Sequence, residues 1–377
     1  MDYLMTQEQL ELVKMVDEFG KKEIAPKIME LEHKDIYPKE IYDKLIEMGL
    51  HTMDIPEELG GGGMDIVTSA IVNETLSKYD AGIGVAIGAN GLAYKVLGVA
   101  GTDEQKKLYC KLVEEGGFGA FCLTEPGAGS DASAVSTTAV KVGDEYVING
   151  GKCFITNGGV ANVYTVIAST DRTKGVKGLS AFLVERSRAG ISIGKEEDKF
   201  GIRTCNTTDV IFEDVHIPAA NLIGKEGEGF KIAMKTLDLS RPIVASGAVG
   251  VAQAALELAT NYSKERITFG KPIAALQGIQ FMLADMEIAT ETARRYARYA
   301  CELIAKGAPH SKEAAIAKCY AGDAAMKVAT DAVQILAGYG YMREYPAEKL
   351  MRDAKIFQIF EGTNQVQRVV IAANMLR

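Results

Sequence analysis

The sequence contains no tryptophan, and only 4 histidines and 9 prolines occur among its 377 residues. The histidines lie far apart, which excludes an H-x-x-x-H zinc pattern. Six cysteines are present, yet no two form a C-x-x-C pair, so neither a zinc knuckle nor a thioredoxin-type redox motif is encoded. We therefore expect reduced core thiols and no metal site.

A surplus of positive charge is also missing. The chain has 42 basic and 50 acidic side chains, and this net charge of −8 argues against a nucleic acid as partner. The first residues lack the basic and apolar regions of a signal peptide. The longest run without a charge, 153–170, contains asparagines and glycines that a bilayer span disfavours. We expect no membrane segment and a cytoplasmic protein.

The residues that are present predict a globular chain of two or three domains, with 47% hydrophobic and 24% charged residues. From Thr6 to about Val113, apolar residues recur every three or four positions, which predicts amphipathic helices. Thr6 can cap the first of them, with Gln9 three residues later. Between Gly119 and Gly224, short apolar runs alternate with polar positions, which predicts strands.

Turn residues and helical periodicity refine this layout. Asn149-Gly150-Gly151 predicts a turn between two strands, and Asn157-Gly158-Gly159 predicts another. The glycines 60–63 follow a helix and lack the context of a dinucleotide motif, so they predict a loop. The predicted strands include 146–148, 164–168, 179–184 and 210–212. Long helices are predicted near Pro242–Glu265, Gln277–Ala305, Ser311–Ala337 and Asn364–Met375.

The order of these regions predicts a multidomain α+β protein. Residues 1–118 form a predicted N-terminal helical domain, residues 119–226 a middle β-domain, and residues 227–377 a C-terminal helical bundle.

Two clusters could hold a ligand, and each has a purely structural alternative. The segment Leu123–Asp131 (LTEPGAGSD) can offer backbone amides to a heterocycle or a phosphate, or it is a tight loop between a helical and a β layer. In Arg266–Pro272 with Gln277, a guanidinium suits a diphosphate and an aromatic ring suits a purine. The alternative is a connector between two helices. Composition does not decide between these interpretations.

A third cluster, Ile359–Gln365 (IFEGTNQ), places Glu361 just before a predicted helix. Burial beside Phe360 would raise the pKa of this carboxyl, whereas the amides of the helix start would lower it. An intermediate pKa suits a general base. The structural alternative is a glutamate at a helix start, with Thr363 or Asn364 as cap and Gln367 completing a capping box.

In order and over nearly the whole chain, these clusters resemble the acyl-CoA dehydrogenase family. The matching segments are Leu123–Asp131, Arg266–Gly270, Gln334–Tyr341 (QILAGYGY) and Phe360–Gln365 (FEGTNQ). The resemblance implies a helical N-terminal domain, a central β-barrel and a C-terminal four-helix bundle. It also implies FAD as cofactor and a tetramer built as a dimer of dimers.

The resemblance also assigns candidate residues one by one. Family positions around the flavin ring are matched by Phe121, Leu123, Thr124, Gly129, Ser130, Phe154 and Thr156. Positions that reach the FAD diphosphate and adenine across a subunit interface are matched by Arg266, Phe269 and Gln277. The cofactor set is completed by Gln334, Gly338, Thr363 and Gln365. Substrate positions are matched by Ser130, Asp238, Arg241 and Gly362.

By the same resemblance, Glu361 is the general base that removes the α-proton of a thioester. A thioester α-proton is a weak acid, so the carbonyl must be polarised as the proton leaves. In the family the donors are the amide of the base itself and a ribityl hydroxyl of FAD. A hydride then passes from Cβ to the flavin and leaves an enoyl-CoA. Some relatives carry the base at the position matched here by Ser240, which cannot act as one.

The sequence departs from the family pattern in two places. Phe154 stands where tryptophan is common, so stacking on the flavin remains but the indole donor is lost. Ala337 stands where a glycine is common, and this methyl should cost little if the backbone there is helical.

The function implied is α,β-dehydrogenation of an acyl-CoA, with electrons exchanged with an electron-transferring flavoprotein. A short acyl chain is favoured, with a pocket lined by Ile87–Leu97 and Phe360, where Asn90, Leu92 or Tyr94 could shorten it. The same fold also admits three alternatives: an enoyl-CoA reductase, an oxidase that uses O₂, and a non-catalytic flavoprotein homologue.

Overall fold

The computed structural model describes residues 5–376, so residues 1–4 and 377, at the ends of the predicted domains, lie outside the described residues. The α-helices in this range are α1 (Gln7–Phe19), α2 (Ile28–His33), α3 (Lys39–Glu47), α4 (Ile66–Tyr79), α5 (Ala81–Ala100), α6 (Asp103–Gly116), α7 (Gly229–Glu265), α8 (Gln277–Ala305), α9 (Ser311–Leu336), α10 (Ala347–Ile356) and α11 (Asn364–Met375). A π-helical segment, Gly20–Ile24, follows α1 directly.

The strands are β1 (Gly119–Cys122), β2 (Thr138–Val142), β3 (Glu145–Thr156), β4 (Val163–Ser169), β5 (Leu179–Glu185), β6 (Ile191–Glu196), β7 (Thr207–Pro218), β8 (Leu222–Ile223), β9 (Ile267–Thr268) and β10 (Lys271–Pro272). Short 3₁₀ segments occupy Leu50–Thr52, Glu57–Leu59, Ala132–Ala134, Arg172–Gly178, Ala219–Asn221, Ile273–Ala275 and Ala337–Tyr341. The predicted order of helices, strands and helices is confirmed.

Local capping explains where the first helices begin. Thr6 accepts a hydrogen bond from the Gln9 amide, and the Gln9 side chain accepts one from the Thr6 amide, so the predicted capping box is confirmed. Asp65 caps α4 by accepting from the Thr68 amide, and Asp80 caps α5 by accepting from the Ile83 amide. The predicted loop at glycines 60–63 is confirmed as well.

The middle region is an open sheet, so the expected β-barrel is wrong. Its strands follow the order β6-β7-β3-β2-β4-β5-β8, with β1 paired to β4, and the two ends of this path do not pair with each other in the described chain. The β2–β4 contact is limited to one pair, and β8 has only two residues. Helices α5 and α7 pack on β4 and β5 and cover apolar surface that closure would otherwise bury.

The predicted turn at Asn149-Gly150-Gly151 is also wrong, because these residues lie inside β3. The pairing of β3 with β7 shifts between Ile148 and Gly150, which marks a β-bulge, and Gly150 has a φ of 146°. The Asn149 side chain bonds Asp214 on β7. The extra residue is on β7, where Glu213 and Asp214 lie opposite Asn149, so the Asn-Gly pair continues one strand instead of forming a turn. The second predicted turn, at Asn157, is confirmed and directly follows β3.

The C-terminal helices pack mainly on one another, with α7, α8, α10 and α11 all contacting α9. Helix α7 begins at Gly229, thirteen residues before the predicted start, and continues through Pro242. An internal proline costs about 3 kcal/mol because one hydrogen bond is lost. Burial of Ile232, Ala233 and Leu237 holds the added turns in place.

Two helices, Ala81–Ala100 and Gly229–Glu265, are long and apolar enough to cross a membrane, but 56% and 67% of their most apolar windows are buried inside the fold. This is the behaviour of core helices in a folded domain. The six cysteines are free and buried, as expected.

Candidate active site

A cavity of about 470 Å³ lies between helices α4, α5 and α7, the strands of the middle region and the turn before α11. Many of the sequence-predicted ring and substrate positions line this cavity. They are Phe121, Leu123, Thr124, Gly129, Ser130, Phe154, Thr156, Arg241, Glu361 and Gly362. Residues from three regions of the chain, far apart in sequence, therefore meet around one space.

A buried ion pair holds the loop that follows β1. Lys152 Nζ donates to Glu125 Oε1 at 2.7 Å and to the Leu123 carbonyl at 3.0 Å. The other Glu125 oxygen accepts from the amide and hydroxyl of Ser136. Although burial raises the pKa of Glu125, the Lys152 ammonium lowers it to about 2. The pair fixes the backbone of the loop next to the cavity.

Phe154 contributes an aromatic face to the cavity wall. It is 62% exposed and has a φ of 57°, a backbone conformation that is uncommon for a bulky residue. An exposed ring held in this way is a ready surface for a flat ligand.

Glu361 lies in a tight turn between α10 and α11. Its φ is 57° and that of Gly362 is 87°. Side chains from two helices hold the carbonyls of this turn: Gln367 Nε2 donates to Glu361 O at 3.1 Å and to Gly362 O at 2.9 Å, and Lys318 Nζ donates to Gly362 O at 2.7 Å. The Glu361 amide has no hydrogen-bond partner within the described chain.

The predicted helix start after Glu361 is confirmed in part. Thr363 caps α11 by accepting from the Val366 amide at 3.2 Å. Gln367 does not complete a capping box, because its side chain turns back to the carbonyls of Glu361 and Gly362. Gln365 is exposed beside it.

Burial raises the pKa of the Glu361 carboxyl above the value of an ordinary glutamate. Four groups oppose this effect: the Ser240 hydroxyl, which donates to Glu361 Oε2 at 2.6 Å, and the positive charges of Arg241, Lys318 and Lys95. These side chains, rather than helix amides, lower the pKa. A carboxyl whose pKa is raised in this way suits a general base better than an ordinary exposed glutamate does.

Arg241 connects the turn to the substrate positions on α7. Its guanidinium pairs with Asp238, which is half-buried, and its Nε lies 3.5 Å from Glu361 O. Ser240, the position at which the resemblance places the base of some relatives, here donates a hydrogen bond to Glu361 instead.

The other predicted cofactor residues lie away from the cavity, at a surface that we call the bundle end: Arg266, Phe269, Gln277, Gln334 and Gly338, all exposed. Phe269 is 91% exposed. The Arg266 guanidinium lies 5.5 Å from the centre of the Tyr339 ring, which joins the two segments of this surface. None of these five residues lines the cavity of the described chain.

The helical backbone expected at Ala337 is not found. This residue ends α9 with φ 52° and ψ −131°, a conformation that glycine adopts easily and alanine does not. The methyl group therefore sits where the fold requires a left-handed turn.

Of the three residues expected to shorten an acyl pocket, Leu92 lines the cavity. Asn90 and Tyr94 are buried elsewhere: Asn90 bonds the Gly119 amide and the His51 carbonyl, and Tyr94 packs on Tyr109.

The sequence interpretation missed three lysines at or beside the site, Lys95, Lys152 and Lys318. Lys318 is 1% exposed, and burial lowers its pKa to about 8. A signal was available, because Lys318 interrupts a face of α9 that is otherwise formed by alanines and small residues. A lysine at such a position has to find a partner inside the protein.

Comparison with known proteins shows which family the chain resembles. It matches the N-terminal, middle and C-terminal domains of acyl-CoA dehydrogenase over residues 6–116, 120–215 and 227–376. It is 46% identical to the short-chain specific acyl-CoA dehydrogenase of Megasphaera elsdenii, with 100% of both chains covered. It is 44% identical to the acryloyl-CoA reductase (NADH) of Anaerotignum propionicum, over 100% of this chain and 96% of that protein.

Solved structures agree with the sequence matches. The structure of butyryl-CoA dehydrogenase from M. elsdenii superposes with a TM-score of 0.97 at 46% identity, with both chains fully covered. A chain in the structure described as the electron transferring flavoprotein of Acidaminococcus fermentans gives 0.97 at 48% identity, again over the full length of both. The chain belongs to the acyl-CoA dehydrogenase family.

Proposed function

We propose that this protein is an FAD-dependent acyl-CoA dehydrogenase that converts a short-chain acyl-CoA to the trans-2-enoyl-CoA. The observation that carries the proposal is the geometry at Glu361, which lines the cavity with a desolvated carboxyl and whose amide bonds no acceptor among residues 5–376. A base and a hydrogen-bond donor at the same residue suit removal of a proton next to a thioester carbonyl.

The cavity fits a flavin ring. Phe121, Leu123 and Phe154 offer apolar faces, while Thr124 and Thr156 add hydroxyls. No heavy atom lies within 4 Å of the position that a side chain would take on Gly129, so a ligand can approach the backbone there. FAD, when bound, would supply the acceptor for the hydride that leaves Cβ.

We assign the remaining cofactor contacts to two places. Thr363 and Gln365 lie at the start of α11, next to the turn that holds Glu361. The bundle end would reach the diphosphate and adenine of FAD held by another copy of the chain, because these exposed residues do not reach the cavity of their own chain. This assignment supports a homotetramer built as a dimer of dimers.

The chain's own residues then have distinct tasks. Glu361 accepts the α-proton, and its amide donates to the thioester carbonyl. Ser130, Asp238, Arg241 and Gly362 contact the CoA-bearing substrate, and the Arg241–Asp238 pair is positioned for this by its place on α7 beside the base.

For electron exchange we propose an electron-transferring flavoprotein as partner, in the cytoplasm. Support comes from the structure of the A. fermentans flavoprotein, in which a chain 48% identical to this one occurs. The relative named acryloyl-CoA reductase supports a second candidate, in which the same site works physiologically as an enoyl-CoA reductase. A non-catalytic role is disfavoured because Glu361, Ser240 and Arg241 are assembled together.

The test is an anaerobic titration of the purified flavoprotein with saturated acyl-CoAs of increasing length, following flavin absorbance at roughly 450 nm. Bleaching by short-chain thioesters is the expected result. Failure of every thioester to bleach the flavin would overturn the dehydrogenase assignment; reoxidation of dithionite-reduced enzyme by an enoyl-CoA would then favour the reductase. Rapid oxygen consumption with substrate would instead indicate an oxidase.

A further inference from the structure

One face of α5 borders the cavity, and its residues recur every three or four positions. They are Gly84, Val85, Gly88, Ala89, Leu92 and Lys95. All except the last are small or apolar. Lys95 therefore adds a charged residue to the wall of the cavity. A pocket for an unsubstituted hydrocarbon chain needs no charged residue.

The Lys95 ammonium is only partly satisfied by its own protein. It contacts Asp54 Oδ2, and the side chains of both residues are 14% exposed. Among residues 5–376 no other acceptor bonds Lys95, although an ammonium carries three donors. Lys95 is one of the residues that line the cavity, whereas its partner Asp54 is not.

A second polar group borders the same strip of α5. Asn73 on α4 is 4% exposed, lines the cavity and donates from Nδ2 to Gly84 O at 2.7 Å. A methyl group on Gly88 would lie 3.1 Å from Asn73 Nδ2, and one on Gly91 would meet Asp54 Oδ2 first and lie 3.2 Å from Lys95 Nζ. Gly88 lines the cavity, whereas Gly91, one helical turn further along α5, does not, so the Lys95–Asp54 pair lies next to the strip that Asn73 borders.

The ion pair is not required for stability in general. Replacing a buried pair by apolar side chains of similar size is often neutral or stabilising, because both charges must be stripped of water. A lysine with spare donors beside an acyl pocket is better explained by a substrate oxygen that accepts a hydrogen bond from it.

We propose that the acyl group of the preferred substrate carries a neutral oxygen, a hydroxyl or a carbonyl, that accepts a hydrogen bond from Lys95. This inference rests on the proposed function and narrows its substrate class. Asp54 already neutralises Lys95, so a substrate carboxylate would lose its hydration without meeting a net positive charge. A neutral oxygen accepts the available N–H groups at a smaller cost of desolvation.

The experiment compares kcat/KM for thioesters that differ only by a hydroxyl in place of a methyl, using an artificial electron acceptor. The pairs are 4-hydroxybutyryl-CoA with pentanoyl-CoA, and 5-hydroxypentanoyl-CoA with hexanoyl-CoA, while glutaryl-CoA tests a carboxylate. In at least one pair we expect the hydroxy thioester to exceed its methyl partner about 10-fold. In the variant Lys95→Met with Asp54→Asn, which leaves no unpaired carboxylate, this ratio falls to one or below.

A matched control is Lys44→Met with Glu23→Gln, which removes another ion pair, joined at 2.5 Å, outside the cavity. This variant is expected to keep the wild-type ratio. A wild-type ratio of one or less in both pairs, a preference for glutaryl-CoA, or an unchanged ratio in the Lys95 variant overturns the proposal. The wild-type ratio decides the matter even if that variant does not fold, and turnover of none of the thioesters refutes the proposed function itself.

Discussion

The cavity and the bundle end differ in how far a single chain completes them. Around the cavity, Glu361 accepts a hydrogen bond from Ser240, and Lys152 holds the loop that follows β1. At the bundle end, Phe269 is 91% exposed and has a φ of 52°. A large aromatic ring in a costly conformation on an open surface is typical of a site that another molecule covers. The residues proposed to carry out proton transfer thus lie within one chain, whereas we assign the binding of the cofactor to residues of two chains.

The largest effect is expected at the cavity. Glu361→Gln keeps the size and the oxygen that accepts from Ser240 but removes the base, so the rate of flavin bleaching by substrate should fall about 10³-fold. Rapid mixing under anaerobic conditions measures it, with Glu302→Gln as a control at a side chain that is 53% exposed. Wild-type bleaching by the Glu361 variant would show that the base lies elsewhere.

Substitutions at the bundle end should instead change the affinity of the protein for its cofactor. Arg266→Ala is expected to raise the Kd for FAD about 10- to 100-fold, because a charged hydrogen bond to a diphosphate is lost. Titration of the apoprotein with FAD, followed by fluorescence, gives the value. Lys271→Ala removes an equal charge from the same connector and should have a much smaller effect. Equal increases in the Kd for FAD in the two variants would show that Arg266 makes no specific contact with FAD and would contradict the assignment of cofactor binding to the bundle end.

A smaller effect tests the electrostatics of the cavity. In Ser240→Ala the hydrogen bond that lowers the pKa of Glu361 is lost, so this pKa rises further. Only the deprotonated carboxylate acts as base, so activity is lost as the pH falls through the pKa, and the acidic limb of the kcat profile should move to higher pH. The loss relative to wild type is therefore greater at acidic than at alkaline pH. A uniform loss at all pH values would mean that Ser240 acts through geometry alone.

Prediction from sequence succeeded where the signal is local. The capping box at Thr6, the strands and the position of Glu361 before α11 all depend on residues within a few positions of one another. The partners that complete the site are distant. Lys318 reaches Gly362 across 44 positions, and Lys95 reaches Asp54 across 41. No periodicity in a single sequence specifies such pairs, so the positioning of the base by Lys318 could not be read from it.

Other differences arise because one local signal serves several structures. An Asn-Gly pair suits a hairpin turn, but Asn149 pairs instead with Asp214 in a bulged part of β7, so the chain continues as one strand. Pro242 suits a helix start, yet burial of the preceding turns extends α7 beyond it. The family resemblance implied a barrel, but the sheet stays open because helices cover it. In each case tertiary packing decides among locally acceptable conformations.

The smallest predicted effect concerns backbone strain at the bundle end. Ala337 has φ 52° and ψ −131°, where a Cβ atom is crowded by the backbone, so Ala337→Gly should raise the free energy of unfolding by about 1 kcal/mol after the added entropy of the unfolded chain is subtracted. Thermal unfolding of the holoprotein measures this change. The matched control is Ala284→Gly in the exposed face of α8, where the same substitution should cost about 1 kcal/mol. If Ala337→Gly raises the free energy of unfolding while Ala284→Gly lowers it, the strain lies in the turn at Ala337. Equal destabilisation by both substitutions would show that the backbone at Ala337 is not strained.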